Sequence, residues 1–315
     1  MHQASGKSLT GFILALTTAV LWGMLPIALK VVLTELSANT ITWVRFLVAA
    51  IFVVLVLWKQ QNLPKLGKLK GKARTLMLIA VAGLLSNYIL YLMGLNLLTA
   101  ETAQVVIQLA PFLMMLGGIF IFRERLLLWQ KIGAATLVAG LLLFFNDRLL
   151  LLVTELGQDS FGILLVIIAA FTWAAYALAQ KQLLMHFNSQ QIMAFIYVAG
   201  ALCFLPVIDI APVFELSLLH WALLLFCCLN TIVAYGAFAE ALEHWEASKV
   251  SAVLAITPLL TILFANLAAW LWPEAPKPEA LNLLAILGAV LVVFGSAVTA
   301  LAPVLKQWRQ DRAAA

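Results

Sequence analysis

Two stretches, AETAQVVIQLAP at 100–111 and ASKVSAVLAITP at 247–258, decide how this chain is read. Each runs from an alanine through a polar residue (Gln104, Ser251) to a proline, with the same spacing, and a glutamate follows each run, Glu124 and Glu274. Moving outward, other features recur in the same order. Trp22-Gly23-Met24-Leu25-Pro26 leads to Lys30, and Trp173-Ala174-Ala175-Tyr176 leads to Lys181. Gly133 and Gly140 lie seven apart, as do Gly288 and Gly295. Ordered self-similarity of this kind marks a duplicated structural unit. We therefore divide the chain into repeats at 1–147 and 148–315.

The solvent around these repeats is lipid. Of 315 residues, 64% are hydrophobic and 10% charged, and mean hydropathy is +1.06. A soluble domain is roughly half apolar and a quarter charged; one core could not hide this much apolar surface from water. Apolar runs separated by polar breaks predict ten membrane helices, at 10–32, 39–58, 75–97, 102–122, 130–146, 160–181, 189–208, 217–241, 249–271 and 280–303. The length suits this, because a span needs about 20 apolar residues. The run from Thr10 is longer than a signal-peptide core and lacks a small-residue cleavage site, so it reads as a retained first span.

Cations set the orientation, since loops rich in Lys and Arg stay cytoplasmic. With the N-terminus inside, the cytoplasmic segments hold all 19 cations except Lys30, Arg45, Arg148 and Lys277. The basic loop 59–74 reads as a stop-transfer segment, and the net charge of +5 reflects topology rather than nucleic-acid binding. Both termini are expected in the cytoplasm. Five helices per repeat, an odd number, place the second repeat upside down relative to the first. The predicted fold is all-α, a polytopic bundle of ten transmembrane helices as two inverted five-helix repeats. That symmetry suits a carrier whose halves exchange roles.

These motifs are similar to those of the EamA transporters of the drug/metabolite transporter superfamily. The resemblance rests on Trp22-Gly23, Pro26 and Lys30, on the alanine-rich start of helix 4 with Pro111, on Glu124, and on Gly133/Gly140 with their second-half counterparts. It covers roughly 10–303. The second half departs from it, with Trp173-Ala174 in place of Trp-Gly and no proline four residues on. The resemblance implies a cavity between the halves and export of amino acids, metabolites or drug-like solutes across the cell inner (plasma) membrane.

Within lipid, polar side chains should face the bundle interior. Helix 1 aligns Trp22, Pro26 and Lys30. Helix 3 aligns Asn87 with Tyr91, and helix 4 aligns Gln104 with Gln108 just before Pro111. Helix 6 aligns Trp173 with Tyr176, and helix 8 holds Asn230 and Tyr235. These aromatics and amides, together with Lys30 near the outer mouth, are the candidate cavity residues, with Pro26, Pro111 and Pro258 as candidate hinges. Unsatisfied amides are costly in hydrocarbon, so bonding between helices is an equal alternative for Gln104 and Gln108. Lys30, Arg45 and Glu240 lie near span ends, where snorkelling explains a charge; for Glu240, proton coupling is the alternative.

The four histidines lie in or near loops, no two aspartates share a helical face, and no H-E-x-x-H or phosphate loop occurs. Cys203, Cys227 and Cys228 lack metal-ligand spacing. The expectation is a secondary transporter working by alternating access, not an enzyme, with no cofactor or metal. Its partners would be a small-molecule solute and the lipid bilayer, without nucleic acid, as a monomer or homodimer. A channel-like, lipid-flipping or accessory membrane protein is the alternative.

Overall fold

The computed structural model describes residues 8–122, 127–146, 157–244, 250, 253–272 and 275–314, and among these no strand occurs. Among the described residues eleven α-helices of seven or more residues carry the fold: α1 (Ser8–Val32), α2 (Ala38–Lys59), α3 (Lys72–Leu97), α4 (Ala100–Val106), α5 (Leu109–Phe122), α6 (Leu128–Phe144), α7 (Gln158–Leu183), α8 (Ser189–Phe204), α9 (Leu218–His244), α10 (Thr257–Leu271) and α11 (Leu283–Ala314). Local chemistry sets several starts. The Ser37 and Thr99 hydroxyls accept the Thr40 and Thr102 amides, and Asn188 with Gln191 forms a reciprocal capping box.

Six of these helices are long and apolar enough to cross a membrane: Leu9–Val32, Ala38–Lys59, Lys72–Leu97, Gln158–Leu183, Ser189–Val207 and Leu218–Ala241. Leu128–Phe144, Thr257–Leu271 and Leu283–Thr299 are apolar but shorter. The span expected at 102–122 is two helices, α4 and α5, interrupted at Ile107 and Gln108. Pro111 explains the interruption: it has no N–H for the carbonyl four residues back, that of Ile107. Pro258 does the same for Leu254, where the backbone turns before α10. The two quoted motifs therefore encode two helix breaks.

The packing maps onto itself when the halves are exchanged. With α4 and α5 together matching α10, the pair α3–α7 corresponds to α9–α1, and α5–α7 to α1–α10; α2–α8, α6–α11 and α4–α10 each pair an element with its own counterpart. Glycines permit the closest approaches. A Cβ on Gly140 would lie 2.8 Å from the Gly288 carbonyl, and one on Gly295 would lie 2.6 Å from the Gly133 carbonyl. α6 and α11 thus touch backbone to backbone. On the outside, Phe52, Trp58, Phe171 and Trp270 are exposed, an apolar surface suited to lipid.

Candidate functional site

A cavity of about 120 Å³ lies where the halves meet. α1 contributes Trp22, Leu25, Pro26 and Leu29, α2 contributes Arg45, and α3 contributes Asn87, Tyr88, Tyr91 and Leu92. The first helix break adds Gln104, Ile107, Gln108, Ala110 and Pro111. The second half closes the wall with Trp173, Tyr235, Leu254 and Thr257.

The wall is largely aromatic. Trp22 meets Tyr235 edge-on at 5.2 Å and Phe238 at 5.6 Å, and Trp173 lies 6.2 Å from Phe238. The tryptophans that mark the repeat in sequence thus flank one ring, from opposite halves. Such pairs are rigid apolar surface, worth about 0.5–1.5 kcal/mol each beyond their buried area.

The amides line the cavity and bind neighbouring groups at once. Asn87 Nδ2 donates to the Ala169 carbonyl at 2.9 Å, and the Tyr91 hydroxyl donates to Gln104 Oε1 at 2.9 Å. Gln108 Nε2 donates to the carbonyls of Leu254 (3.4 Å) and Ala255 (3.2 Å). The Leu254 carbonyl is the one Pro258 leaves without its helical partner, and the Thr257 hydroxyl also donates to it, at 2.6 Å. One break therefore satisfies the other, across the two repeats.

Other residues singled out in sequence lie away from this wall. Tyr176 is fully buried in the aromatic core, its hydroxyl 3.4 Å from Met193 Sδ. Asn230 Nδ2 holds the Leu21 carbonyl at 2.6 Å. Lys30 Nζ donates to the Leu95 and Asn96 carbonyls at the end of α3. Close to that end of the bundle, Glu279 Oε2 accepts the Thr99 and Thr102 hydroxyls, both at 2.5 Å, and Glu101 accepts the Glu279 amide at 3.3 Å. Glu240 is 60% exposed and lies 3.9 Å from His244 Nε2. Pro258 sits in the first turn of α10 beside the lining residue Thr257.

Arg45 departs most from the sequence expectation. It does not snorkel: it is 2% exposed, its Nε donates to Thr231 Oγ1 at 2.9 Å, and its guanidinium sits 4.6 Å from the Tyr88 ring centre. The hydroxyl and ring inside the bundle offer what the interface would have offered. The signal available in sequence was depth, since Arg45 lies about 10 Å along the axis from the start of α2 at 1.5 Å per residue.

Comparison with known proteins agrees with this architecture. The EamA-like transporter family matches twice, over residues 9–146 and 160–301. An uncharacterized transporter of Haemophilus influenzae is 44% identical over 295 residues, covering 94% of this chain and 96% of that protein. The uncharacterized inner membrane transporter YhbE of Escherichia coli K12 is 41% identical over 305 residues, covering 96% and 93%. A probable amino-acid metabolite efflux pump of the same organism is 25% identical over 298 residues, covering 90% and 92%. With its two matched repeats packed about one aromatic cavity, the chain belongs to the EamA-like transporter family.

Proposed function

We propose that this membrane transporter is a secondary carrier that exports a small, partly apolar solute, an amino acid, metabolite or drug-like compound, by alternating access. The observation that carries the reading is the position of the cavity. It lies between the two repeats and beside both helix breaks, where a rocking motion of one half against the other would open it to either side. In this reading α4 and α5 together make one span, the shorter apolar helices complete ten, and the second repeat is inverted. Both termini then face the cytoplasm, in keeping with the basic 59–74 loop, and the membrane is the inner membrane, as in the name of the Escherichia coli relative. Export is favoured by the efflux relative.

Trp22, Asn87, Tyr91, Gln104, Gln108, Trp173 and Tyr235 are the solute-contacting residues in this proposal, and Pro26, Pro111 and Pro258 mark where helices bend. Lys30 serves the closed end of the bundle, and Tyr176 and Asn230 hold the scaffold behind the wall. Glu240, exposed and next to His244, is the candidate coupling group; pH-dependent transport unchanged by Glu240→Gln would remove it from that role. Counterflow in proteoliposomes tests the carrier reading. Preloaded unlabelled solute should drive transient accumulation of labelled solute, and uptake that never exceeds equilibrium under any solute gradient would refute it.

A further inference from the structure

Arg45 is the one charged side chain on the cavity wall among the described residues, and no carboxylate pairs with it there. An arginine keeps its charge at any physiological pH. A buried, uncompensated cation in a membrane bundle is costly and is a mark of function. Only part of its bonding capacity is used. Nε is held by Thr231, whose own hydroxyl donates to the Cys227 carbonyl at 3.0 Å, so the guanidinium is anchored from behind. Its two terminal nitrogens have no hydrogen-bond partner among the described residues, and neither is sealed from open space. The Tyr88 face positions the plane of the group without neutralising it.

We propose that Arg45 is the anion-recognition residue of the transport cavity, and that the solute is a monocarboxylate with an apolar, typically aromatic, body. This rests on the carrier reading above. The two free nitrogens of a guanidinium form the planar fork that a carboxylate fills with two parallel bonds. In the same cavity, Trp22, Trp173 and Tyr235 supply apolar walls. A single cation does not match a phosphate dianion, and with no acid on the wall among the described residues a solute ammonium has no counter-charge there. One net negative charge is therefore preferred over a zwitterion. Thr231 and Tyr88 act as positioning residues.

Calorimetric titration of the purified full-length protein with a matched series tests this: 3-phenylpropionate, phenylalanine, 3-phenylpropionamide, phenethylamine and inorganic phosphate. The acid should bind tightest, with the amide weaker by about 10- to 100-fold, the range for lost charge-assisted bonds. Arg45→Gln should remove the preference of acid over amide, and Arg45→Lys should retain part of it. Equal binding of acid and amide by the unaltered protein overturns the proposal, whether or not Arg45→Gln folds. So does an order led by phosphate, phenylalanine or the amine, or an undiminished acid preference in Arg45→Gln. Counterflow separates the two readings: counterflow of the amide without acid preference leaves the carrier and removes the anion site. Arg45-dependent acid binding without counterflow of any of the series leaves the site and removes the carrier.

Discussion

The seam between α6 and α11 makes a quantitative prediction. A Cβ on Gly288 would lie 2.7 Å from the Gly140 carbonyl oxygen and 2.8 Å from Phe144 Cα, with the Phe144 nitrogen nearer still. All three are backbone atoms, so no rotamer change relieves them. Restoring ordinary contact at 3.4 Å requires the helices to part by about 0.6–0.7 Å for the Gly140 oxygen and Phe144 Cα, and by more for the Phe144 nitrogen, along a face packed to native density. Overpacking of this kind costs about 1–3 kcal/mol, against which alanine recovers up to about 1 kcal/mol of helix propensity. Gly288→Ala should therefore lose about 1–2 kcal/mol. Gly236 is the control: it is also helical, but a Cβ there meets nothing within 4 Å, so Gly236→Ala should be neutral or gain up to about 1 kcal/mol. Gly140→Ala clashes with the Val292 nitrogen and the Gly288 carbonyl. One separation relieves both sites, so Gly140→Ala with Gly288→Ala should cost less than the two single changes added. SDS-driven equilibrium unfolding in mixed micelles, followed by circular dichroism, reads all four variants. Gly288→Ala as stable as Gly236→Ala, or strict additivity of the pair, would refute the backbone-contact account.

Three further outcomes are expected. Gln108→Leu leaves the Ala255 carbonyl without its side-chain donor and the Leu254 carbonyl with Thr257 alone, and should cost about 1–3 kcal/mol, read in the same unfolding assay; an unchanged midpoint would mean the bond between the breaks is not formed. Glu279→Ala removes the acceptor of two hydroxyls and should speed thiol labelling of an Ala103→Cys probe, a buried position next to Thr102, by about tenfold or more, the equivalent of one charge-assisted bond of about 1.5–3 kcal/mol. Equal labelling rates would show that this polar cluster does not close that end. Trp173→Ala should weaken solute binding by about tenfold, one desolvated aromatic contact, with helical content unchanged by circular dichroism; full affinity would take Trp173 off the solute surface.

Much of this was legible in sequence because lipid leaves few ways to arrange a chain. The long apolar runs, the duplicated proline motif and the glycines spaced by seven correspond to helices, helix breaks and the closest helix seam. Depth and side-chain direction were harder. Arg45 and Lys30 look alike as cations near the ends of apolar runs, yet one turns inward to Thr231 and the other to the α3 terminus. Tyr176 shares a helical face with Trp173 but faces the core, because Gly83 lets α3 press against it: a Cβ there would lie 3.1 Å from Tyr176 Cβ. The prolines marked where helices would bend, but not that the expected span 102–122 would break in two or that the two breaks would meet, since the partner of Gln108 is a backbone carbonyl and carbonyls leave no mark in a sequence.

That meeting of the two breaks is one-sided. In the quoted motifs the ninth residue is Gln108 in the first and Ala255 in the second. The clasp has a donor on one half only, so swapping the halves does not reproduce it. Under the alternating access proposed above, a carrier built this way would be energetically lopsided: the conformation that keeps the clasp would be the longer-lived, and the empty protein would rest with its cavity turned to one compartment. Since the clasp cannot change the overall equilibrium of an uncoupled solute, a clasp that is stronger in the empty than in the loaded carrier would appear, under that proposal, as unequal half-saturation concentrations on the two faces, a kinetic polarity written into a single glutamine.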